Sequence, residues 1–212
     1  MTAQIETFPV GPLQCNCSIV VDEATREAVV IDPGDEPERI LKALAAAKVR
    51  PVALLHTHAH LDHITGTRQV SEATRAPILL HPEDLPLYEA LPEQAAFFGL
   101  RADAPRPLDR PLGDADVIRF GQSRLRAIHT PGHTPGSTCF ALEADRPLLF
   151  AGDTLFRRSI GRTDLWGGDT DAILVSIREK LFALPGDTAV VCGHGPDTTI
   201  GEEKRLNPFA AI

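Results

Sequence analysis

The chain has 212 residues, of which 43% are hydrophobic and 24% are charged, a composition typical of a globular protein that buries a core. Its 29 acidic and 21 basic residues give a formal net charge of -8, the wrong sign for binding a nucleic-acid backbone. No apolar run approaches the roughly 20 residues that cross a bilayer, and residues 1–13 lack the basic and apolar parts of a secretory signal. We therefore expect a single domain over residues 1–212, located in the cytoplasm, without nucleic acid or membrane as a partner; the oligomeric state stays open.

The first half of the chain alternates short apolar runs with helical patterns. Runs rich in Val, Ile and Leu predict strands over 8–10, 18–21, 27–31, 52–55 and 78–80. Apolar residues at helical spacing predict helices over 36–48, 64–74 and 83–91. Residues 91–113 contain four prolines and no clear period, so we expect an irregular connection there.

The second half repeats this organisation. Strands are predicted over 117–120, 125–129, 138–142, 148–151 and 188–192. A helix is predicted over 172–183. Two strand-rich halves, each followed by helices, favour an α/β fold in which two sheets pack face to face with helices outside, a four-layer αββα sandwich.

Four cysteines are too few for a disulfide framework in a chain of this length. They are Cys15, Cys17, Cys139 and Cys192. Three of them lie in apolar, strand-like surroundings, so we expect small buried side chains.

The composition is unusual in its histidines, because four of the eight lie between His56 and His63. Within this segment His58 and His60 lie two residues apart, and in an extended loop such residues point the same way and can reach one cation. Asp62 and His63, at the start of the next predicted helix, can turn toward a second cation. Imidazole and carboxylate are typical ligands of Zn²⁺, and iron or manganese suits a similar frame.

Four ligands cannot complete two coordination shells, so further ligands are expected at other strand ends. Three residues qualify: His133, Asp153 and His194. Each follows an apolar strand and is preceded by glycine, which lets the backbone approach a site closely. The remaining histidines have simpler interpretations. His56 is expected to be packed or hydrogen-bonded, with support of the metal ligands as the alternative, and His81 and His129 to be structural or exposed.

These motifs resemble those of the metallo-β-lactamase superfamily, in order and spacing, over nearly the whole chain. The segments that carry the resemblance are His58–His63, Thr130–His133, Gly152–Asp153 and Gly193–Gly195. Further segments, Gly161–Asp164, Gly167–Asp169 and the ending from Gly193 to Phe209, resemble the glyoxalase II group and above all its short bacterial members. Full-length members carry a carboxy-terminal helical domain that binds glutathione, and since the chain ends 18 residues after His194, we expect that domain to be absent.

The resemblance implies an αββα fold and a centre of two divalent metal ions, with Zn²⁺ as the first choice and Fe or Mn as alternatives. It implies that His58, His60 and His133 hold one metal, that Asp62, His63 and His194 hold the other, and that Asp153 bridges both.

It further implies hydrolysis of a glutathione thioester, such as S-D-lactoylglutathione to D-lactate and glutathione, by a hydroxide shared between the metals. Asp62 and Asp153 are the predicted catalytic residues, with Asp62 orienting the water. Arg162 and Asp164 are candidates for holding an anionic small-molecule substrate, with a surface ion pair as the alternative.

Other functions stay open at this point. A mononuclear iron dioxygenase acting on glutathione persulfide shares this fold and would use His58, His133 and Asp153. A metallo-hydrolase acting on another thioester or on a lactone is a second alternative, and a non-catalytic metal-binding protein is a third. β-Lactamase activity is disfavoured, because the segment from Gly161 to Asp169 and the ending match the glyoxalase II group more closely.

Overall fold

The computed structural model describes residues 3–144 and 146–211 and is built around two six-stranded sheets. The strands of the first sheet follow one another in space as they do in sequence: β1 (Ala3–Val10), β2 (Cys15–Asp22), β3 (Glu27–Ile31), β4 (Arg50–Leu55), β5 (Ile78–Leu80) and β6 (Arg110–Pro111). The pairs from β1 to β3 are antiparallel and those from β3 to β6 are parallel. Parallel neighbours require crossover connections, and in this sheet helices supply most of them.

The second sheet is mostly antiparallel. Its strands, and a separate two-stranded hairpin, are β7 (Val117–Phe120), β8 (Ser123–His129), β9 (Thr138–Leu142), β10 (Leu148–Gly152), the hairpin strands β11 (Leu155–Phe156) and β12 (Ser159–Ile160), β13 (Ala189–Cys192) and β14 (Thr198–Thr199). The order across the sheet is β14-β13-β10-β9-β8-β7, and only β10 and β13 run parallel. The parallel pair places the ends of β10 and β13 side by side.

Helices cover the outer face of each sheet. On the first sheet they are α1 (Pro37–Ala47), α2 (Leu61–Ile64), α3 (Thr67–Thr74), α4 (Leu85–Glu89), which a 3₁₀ turn over Pro82–Asp84 precedes, and α5 (Leu91–Phe97). On the second sheet they are α6 (Thr170–Val175), continued by a π-helical segment over Ser176–Leu181, and α7 (Ile200–Leu206).

Three apolar clusters fill the spaces between the layers. Val29 and Ile31 of β3 point inward and meet Phe140 and Phe150 of the second sheet, whereas the alternate residue Val30 packs outward under the helices. A third cluster joins the second sheet to α6 and α7. Three apolar interfaces separate four layers, so the predicted αββα sandwich is confirmed.

The irregular connection predicted over residues 91–113 is wrong in part, because α5 and β6 lie within it. Pro92 occupies the first turn of α5, where proline is tolerated since no helical hydrogen bond is lost there. The helix predicted over 64–74 is interrupted at Thr65 and Gly66, between α2 and α3. The helix α7 was not predicted from the sequence.

The predicted cysteine environment is confirmed: all four side chains are buried and none forms a disulfide. No helix among residues 3–144 and 146–211 is both long enough and apolar enough to cross a bilayer.

Asp22 joins the two sheets at the end opposite the carboxyl ends of β3 and β4. Its buried carboxylate accepts hydrogen bonds from Thr25 N at 2.9 Å and Thr25 Oγ1 at 2.8 Å, in the turn after β2. It also accepts bonds from Gln122 N at 3.1 Å and Ser123 Oγ at 2.8 Å, in the β7–β8 turn. Burial alone would raise the pKa of Asp22, but these bonds outweigh it and lower the pKa to about 2.

We expect Asp22→Asn to lower the free energy of unfolding by about 1–3 kcal/mol at neutral pH, since buried donors lose a charged acceptor. The folded-state pKa lies below the ordinary value of 3.8, so the stabilisation is complete above pH 4 and is lost as the pH falls toward 2. Urea unfolding of both proteins between pH 3 and pH 7 checks this. A difference in stability that grew as the pH fell would contradict it.

Candidate metal centre

The predicted ligands lie at the carboxyl ends of strands in both sheets. β4 ends at Leu55, and the chain then runs through an extended segment to His60, the residue before α2. The backbone of His60 is itself extended, with φ of -69° and ψ of 149°. His133 lies in the loop after β8, Asp153 follows β10 directly, and His194 follows β13. The ends of four strands therefore converge on one edge of the sandwich.

Three of the imidazoles form one group. His133 Nε2 lies 2.8 Å from His60 Nδ1 and 3.2 Å from His58 Nε2. All three side chains are buried, and their ring nitrogens face a common point. Three convergent imidazoles are a typical ligand set for a divalent transition metal.

Asp62, His63 and His194 form a second group. His194 Nε2 lies 3.1 Å from Asp62 Oδ2 and 3.3 Å from His63 Nε2. His63 is fully buried, while Asp62 and His194 are 18% and 28% exposed, so this group faces solvent.

Asp153 lies between the two groups. Its Oδ1 is 3.4 Å from His63 Nε2, and its Oδ2 is 3.6 Å from His133 Nε2 and 3.7 Å from His194 Nε2. Oδ1 is also a buried oxygen without a hydrogen-bond partner among the described residues, an arrangement that costs free energy unless a cation neutralises it. The residues therefore suit a dinuclear metal site with Asp153 between the ions.

The ionisation of the cluster favours metal binding. Burial and neighbouring imidazoles hold the pKa of His58 well below its ordinary value and lower that of His60 to about 3, so both rings are neutral ligands. Burial raises the pKa of Asp153, but the charge of the nearby His63 outweighs this, lowers the pKa and keeps the carboxylate ionised. Although burial opposes it, the carboxylates of Asp62, Asp153 and Asp32 raise the pKa of His63, so the cluster stabilises positive charge at that position.

The second nitrogen of four of the five ligand rings, those of His58, His63, His133 and His194, is also held. His63 Nδ1 lies 3.0 Å from Asp32 Oδ2, and His58 Nδ1 lies 3.0 Å from Thr57 Oγ1. Backbone carbonyls hold two others, since His133 Nδ1 lies 2.8 Å from Arg162 O and His194 Nδ1 lies 3.0 Å from Leu13 O. Such contacts fix the tautomer and orientation of a ligand ring.

Sequence reasoning missed Asp32 and Gln94, which support the ligand loops. Asp32 also accepts hydrogen bonds from Thr57 N and Thr57 Oγ1, at 2.8 and 2.7 Å. Gln94 of α5 accepts a hydrogen bond from Leu61 N at 3.0 Å and donates to Ala59 O at 3.0 Å. Asp32 follows a strand just as the predicted ligands do, so the search for polar residues at strand ends would have found it. No sequence pattern near Gln94 indicates its role.

The other histidines lie outside the two groups. His56 is buried, with Nε2 3.4 Å from Thr67 Oγ1, and burial lowers its pKa to about 4. His81 and His129 stack at 3.9 Å between ring centroids and 10° between planes, with Glu83 nearby. Nitrogen lone pairs lie in the ring plane, so parallel rings do not direct them toward one ion.

Arg162 and Asp164 bond to each other. The guanidinium donates to the Asp164 carboxylate at 2.7 and 2.8 Å, and the side chains are 58% and 69% exposed. The two side chains therefore form the surface ion pair that was the alternative prediction for them. The pair lies beside the metal ligands, since the Arg162 carbonyl contacts His133.

A cysteine beside the ligands is not a nucleophile. Cys15 Sγ lies 3.5 Å from His63 Nδ1, but the thiol is fully buried, and burial raises its pKa to about 12.

A cavity of about 160 Å³ adjoins Asp62 and is lined by Leu13, Ala95, Leu100 and Arg101, among others. Of the seven candidate ligands, only Asp62 lines this cavity.

We expect Gly193→Ala to displace Asp153 and to lower metal content. A Cβ at residue 193 would overlap Asp153 Oδ1 and the backbone of Gly152, which cannot move without shifting β10. Elemental analysis of the purified variant checks this. Gly186→Ala is the matched control, because residue 186 does not have a positive φ and a Cβ there would lie 3.7 Å from Gly201 Cα, an ordinary van der Waals contact. Equal metal content in Gly193→Ala and the wild type would contradict the expectation.

Comparison with known proteins agrees with this geometry. The chain is 40% identical over 208 residues to a hydroxyacylglutathione hydrolase, GloC, of Haemophilus influenzae, with 97% of both chains covered. Among solved structures, that of the BLEG-1 B3 metallo-beta-lactamase has a TM-score of 0.91 and 37% identity, and covers 99% of this chain and 100% of its own. The structure of TTHA1623 in a di-iron-bound form has a TM-score of 0.88 and 42% identity, over 96% of this chain and 99% of its own.

The profile of the metallo-beta-lactamase superfamily matches residues 10–194, which include every predicted metal ligand. The chain therefore belongs to the metallo-beta-lactamase superfamily.

Proposed function

We propose that the protein hydrolyses a glutathione thioester, with S-D-lactoylglutathione as the model substrate. The observation that carries the proposal is the set of seven ligand side chains at one edge of the sandwich. The choice of substrate is supported by the 40% identity to GloC, which extends over 97% of each chain.

In this proposal His58, His60 and His133 would hold one divalent ion, Asp62, His63 and His194 would hold the other, and Asp153 would serve both. Bound ions of this kind supply a nucleophilic water at neutral pH and polarise a carbonyl oxygen. The protein contributes the fixed ligand geometry, the buried surroundings and the cavity beside Asp62.

The side chains have separate tasks. Asp62 stays ionised because the charge of His63 and a hydrogen bond from His194 lower its pKa against the effect of burial, so it can accept a hydrogen bond from the attacking water and orient it. Hydrolysis of a thioester does not require a proton donor for the leaving group, since a thiol has a pKa of about 9 and departs as thiolate. An ester or amide has a more basic leaving group and would need a general acid beside the leaving atom.

We propose Zn²⁺ for both positions, because a set of neutral imidazoles with carboxylates is typical of zinc hydrolases. Iron suits the same ligands, and the similar protein TTHA1623 is described in a di-iron-bound form.

We expect purified, fully metallated protein to hydrolyse S-D-lactoylglutathione with loss of the thioester absorbance. His58→Ala and Asp153→Ala should each lower kcat/KM by more than about 100-fold, because even residues that only support metal ligands change activity 10- to 100-fold. Asp22→Asn, at the far end of the sandwich, is the control for general loss of stability. A metallated wild type that left this thioester intact while cleaving another substrate would overturn the choice of glutathione thioester.

Two other activities are measured on the same preparation. A persulfide dioxygenase would consume oxygen with glutathione persulfide and would carry one iron per chain, so oxygen uptake with that stoichiometry would overturn the hydrolase. The similarity to BLEG-1 makes a chromogenic β-lactam the second comparison substrate, and we expect its kcat/KM to lie well below that of the thioester.

We further propose that Arg162 holds an anionic part of the substrate. Arg162→Gln should raise KM for S-D-lactoylglutathione several-fold with kcat nearly unchanged, since an exposed charge contributes modestly to binding. A neutral, truncated thioester is the matched substrate, and its KM should not change. An equal rise in KM for both substrates would contradict a role for the charge.

A further inference from the structure

Asp84 is a fully buried carboxylate outside the ligand set. It is the last residue of the 3₁₀ turn Pro82–Asp84 that follows β5, and its side chain has no exposure to solvent. A buried carboxylate is costly unless its oxygens accept hydrogen bonds, so the partners of Asp84 indicate what its burial achieves.

Those partners belong to the two loops that carry the three-histidine group. Asp84 Oδ2 accepts hydrogen bonds from Ala59 N at 2.9 Å and from Thr134 Oγ1 at 2.8 Å, and Oδ1 accepts one from Gly136 N at 2.6 Å. Ala59 lies between His58 and His60, and Thr134 follows His133 directly. One carboxylate therefore joins the loop after β4, in the first sheet, to the loop after β8, in the second.

We propose that Asp84 is a positioning residue that fixes the distance between these loops and so sets the geometry of His58, His60 and His133. Asp32 makes comparable contacts to Thr57 and His63 at the neighbouring group. Asp32 is thus a second buried carboxylate outside the ligand set that supports the loop after β4.

The close fit at Gly136 supports this role. A Cβ at that position would lie 2.7 Å from Asp84 Cγ and 2.8 Å from its Cβ, closer than real Cβ atoms approach other atoms. The loop of His133 thus approaches Asp84 to a distance that only glycine permits.

The chemistry of the contacts also requires a carboxylate. All three partners are donors, and both oxygens of Asp84 accept. An amide in the same place has only one acceptor atom, so Asn would direct an N–H group at either Gly136 or the Ala59–Thr134 pair. Asp84→Asn therefore preserves shape and changes only the hydrogen bonding between the loops.

The test measures metal binding directly, so it depends on the proposed metal centre but not on the proposed substrate. Metal-free protein is titrated with Zn²⁺ in competition with a chromophoric chelator, and the visible spectrum of the Co²⁺-loaded protein is recorded. Asp84→Asn should weaken one of the two ions by about 10- to 100-fold and change the Co²⁺ bands of that ion. Wild-type affinity for both ions, or equal weakening of both, would overturn the proposal.

Asp22→Asn is the matched control, because it removes an equally buried carboxylate with a similar set of donors at the far end of the sandwich. It should lose stability and retain the affinity for both ions. If it weakened metal binding as much as Asp84→Asn does, the effect would reflect stability alone and the proposal would be wrong.

Variants of Thr134 keep the proposal testable if Asp84→Asn fails to fold. Thr134→Val removes one of the three donors with little change of shape, and it should weaken the same ion several-fold. Thr134→Ser restores the hydroxyl and should recover wild-type affinity. Unchanged binding in Thr134→Val, or no recovery in Thr134→Ser, would overturn the role of Asp84. Hydrolysis of S-D-lactoylglutathione is measured separately, and its absence from a wild type that binds both ions would affect only the choice of substrate.

Discussion

The structure depends on holding five imidazoles and two carboxylates close together in a largely buried place. Such a cluster is unfavourable by itself, since it removes polar groups from water and leaves Asp153 Oδ1 without a hydrogen-bond partner among the residues that the structure describes. It persists because strands in both sheets end at this edge and because hydrogen bonds hold the second nitrogen of four of the five ligand rings, as Asp32 does for His63. The αββα core provides the rigidity that these contacts need, with apolar side chains interlocked between all four layers.

Both ligand groups draw on both sheets. The first combines His58 and His60 with His133, and the second combines Asp62 and His63 with His194. Direct contacts reinforce the junction, since Asn16 at the start of β2 donates through its backbone to Gly193 O at 2.8 Å and through its side chain to Cys192 O at 2.9 Å. The geometry of the two ligand groups therefore depends directly on the packing of the sheets.

The fold and the ligand candidates could be predicted from sequence because they rest on local patterns. Alternating apolar residues in β3 and the spacing of His58 and His60 are visible within a few positions. The supporting residues are different: Gln94 acts through contacts with residues 33 and 35 positions away, and Asp84 through contacts 25 to 52 positions away. The helix that carries Gln94 was not predicted because Pro92 and the prolines after it are typical of a loop. The length of β1 was underestimated because it is an edge strand whose residues are mostly exposed and show little apolar pattern.

Asp22 has a consequence for how the molecule can move. It joins the two sheets at one end of their interface, while the ligand loops join them at the other. A sandwich fastened at both ends resists shear, the sliding of one sheet past the other, which would change every distance between ligands of different halves at once. Motion is then confined to exposed segments at the surface, such as the one that carries Trp166, whereas the turn of Leu13 is tied to the centre because its carbonyl contacts His194.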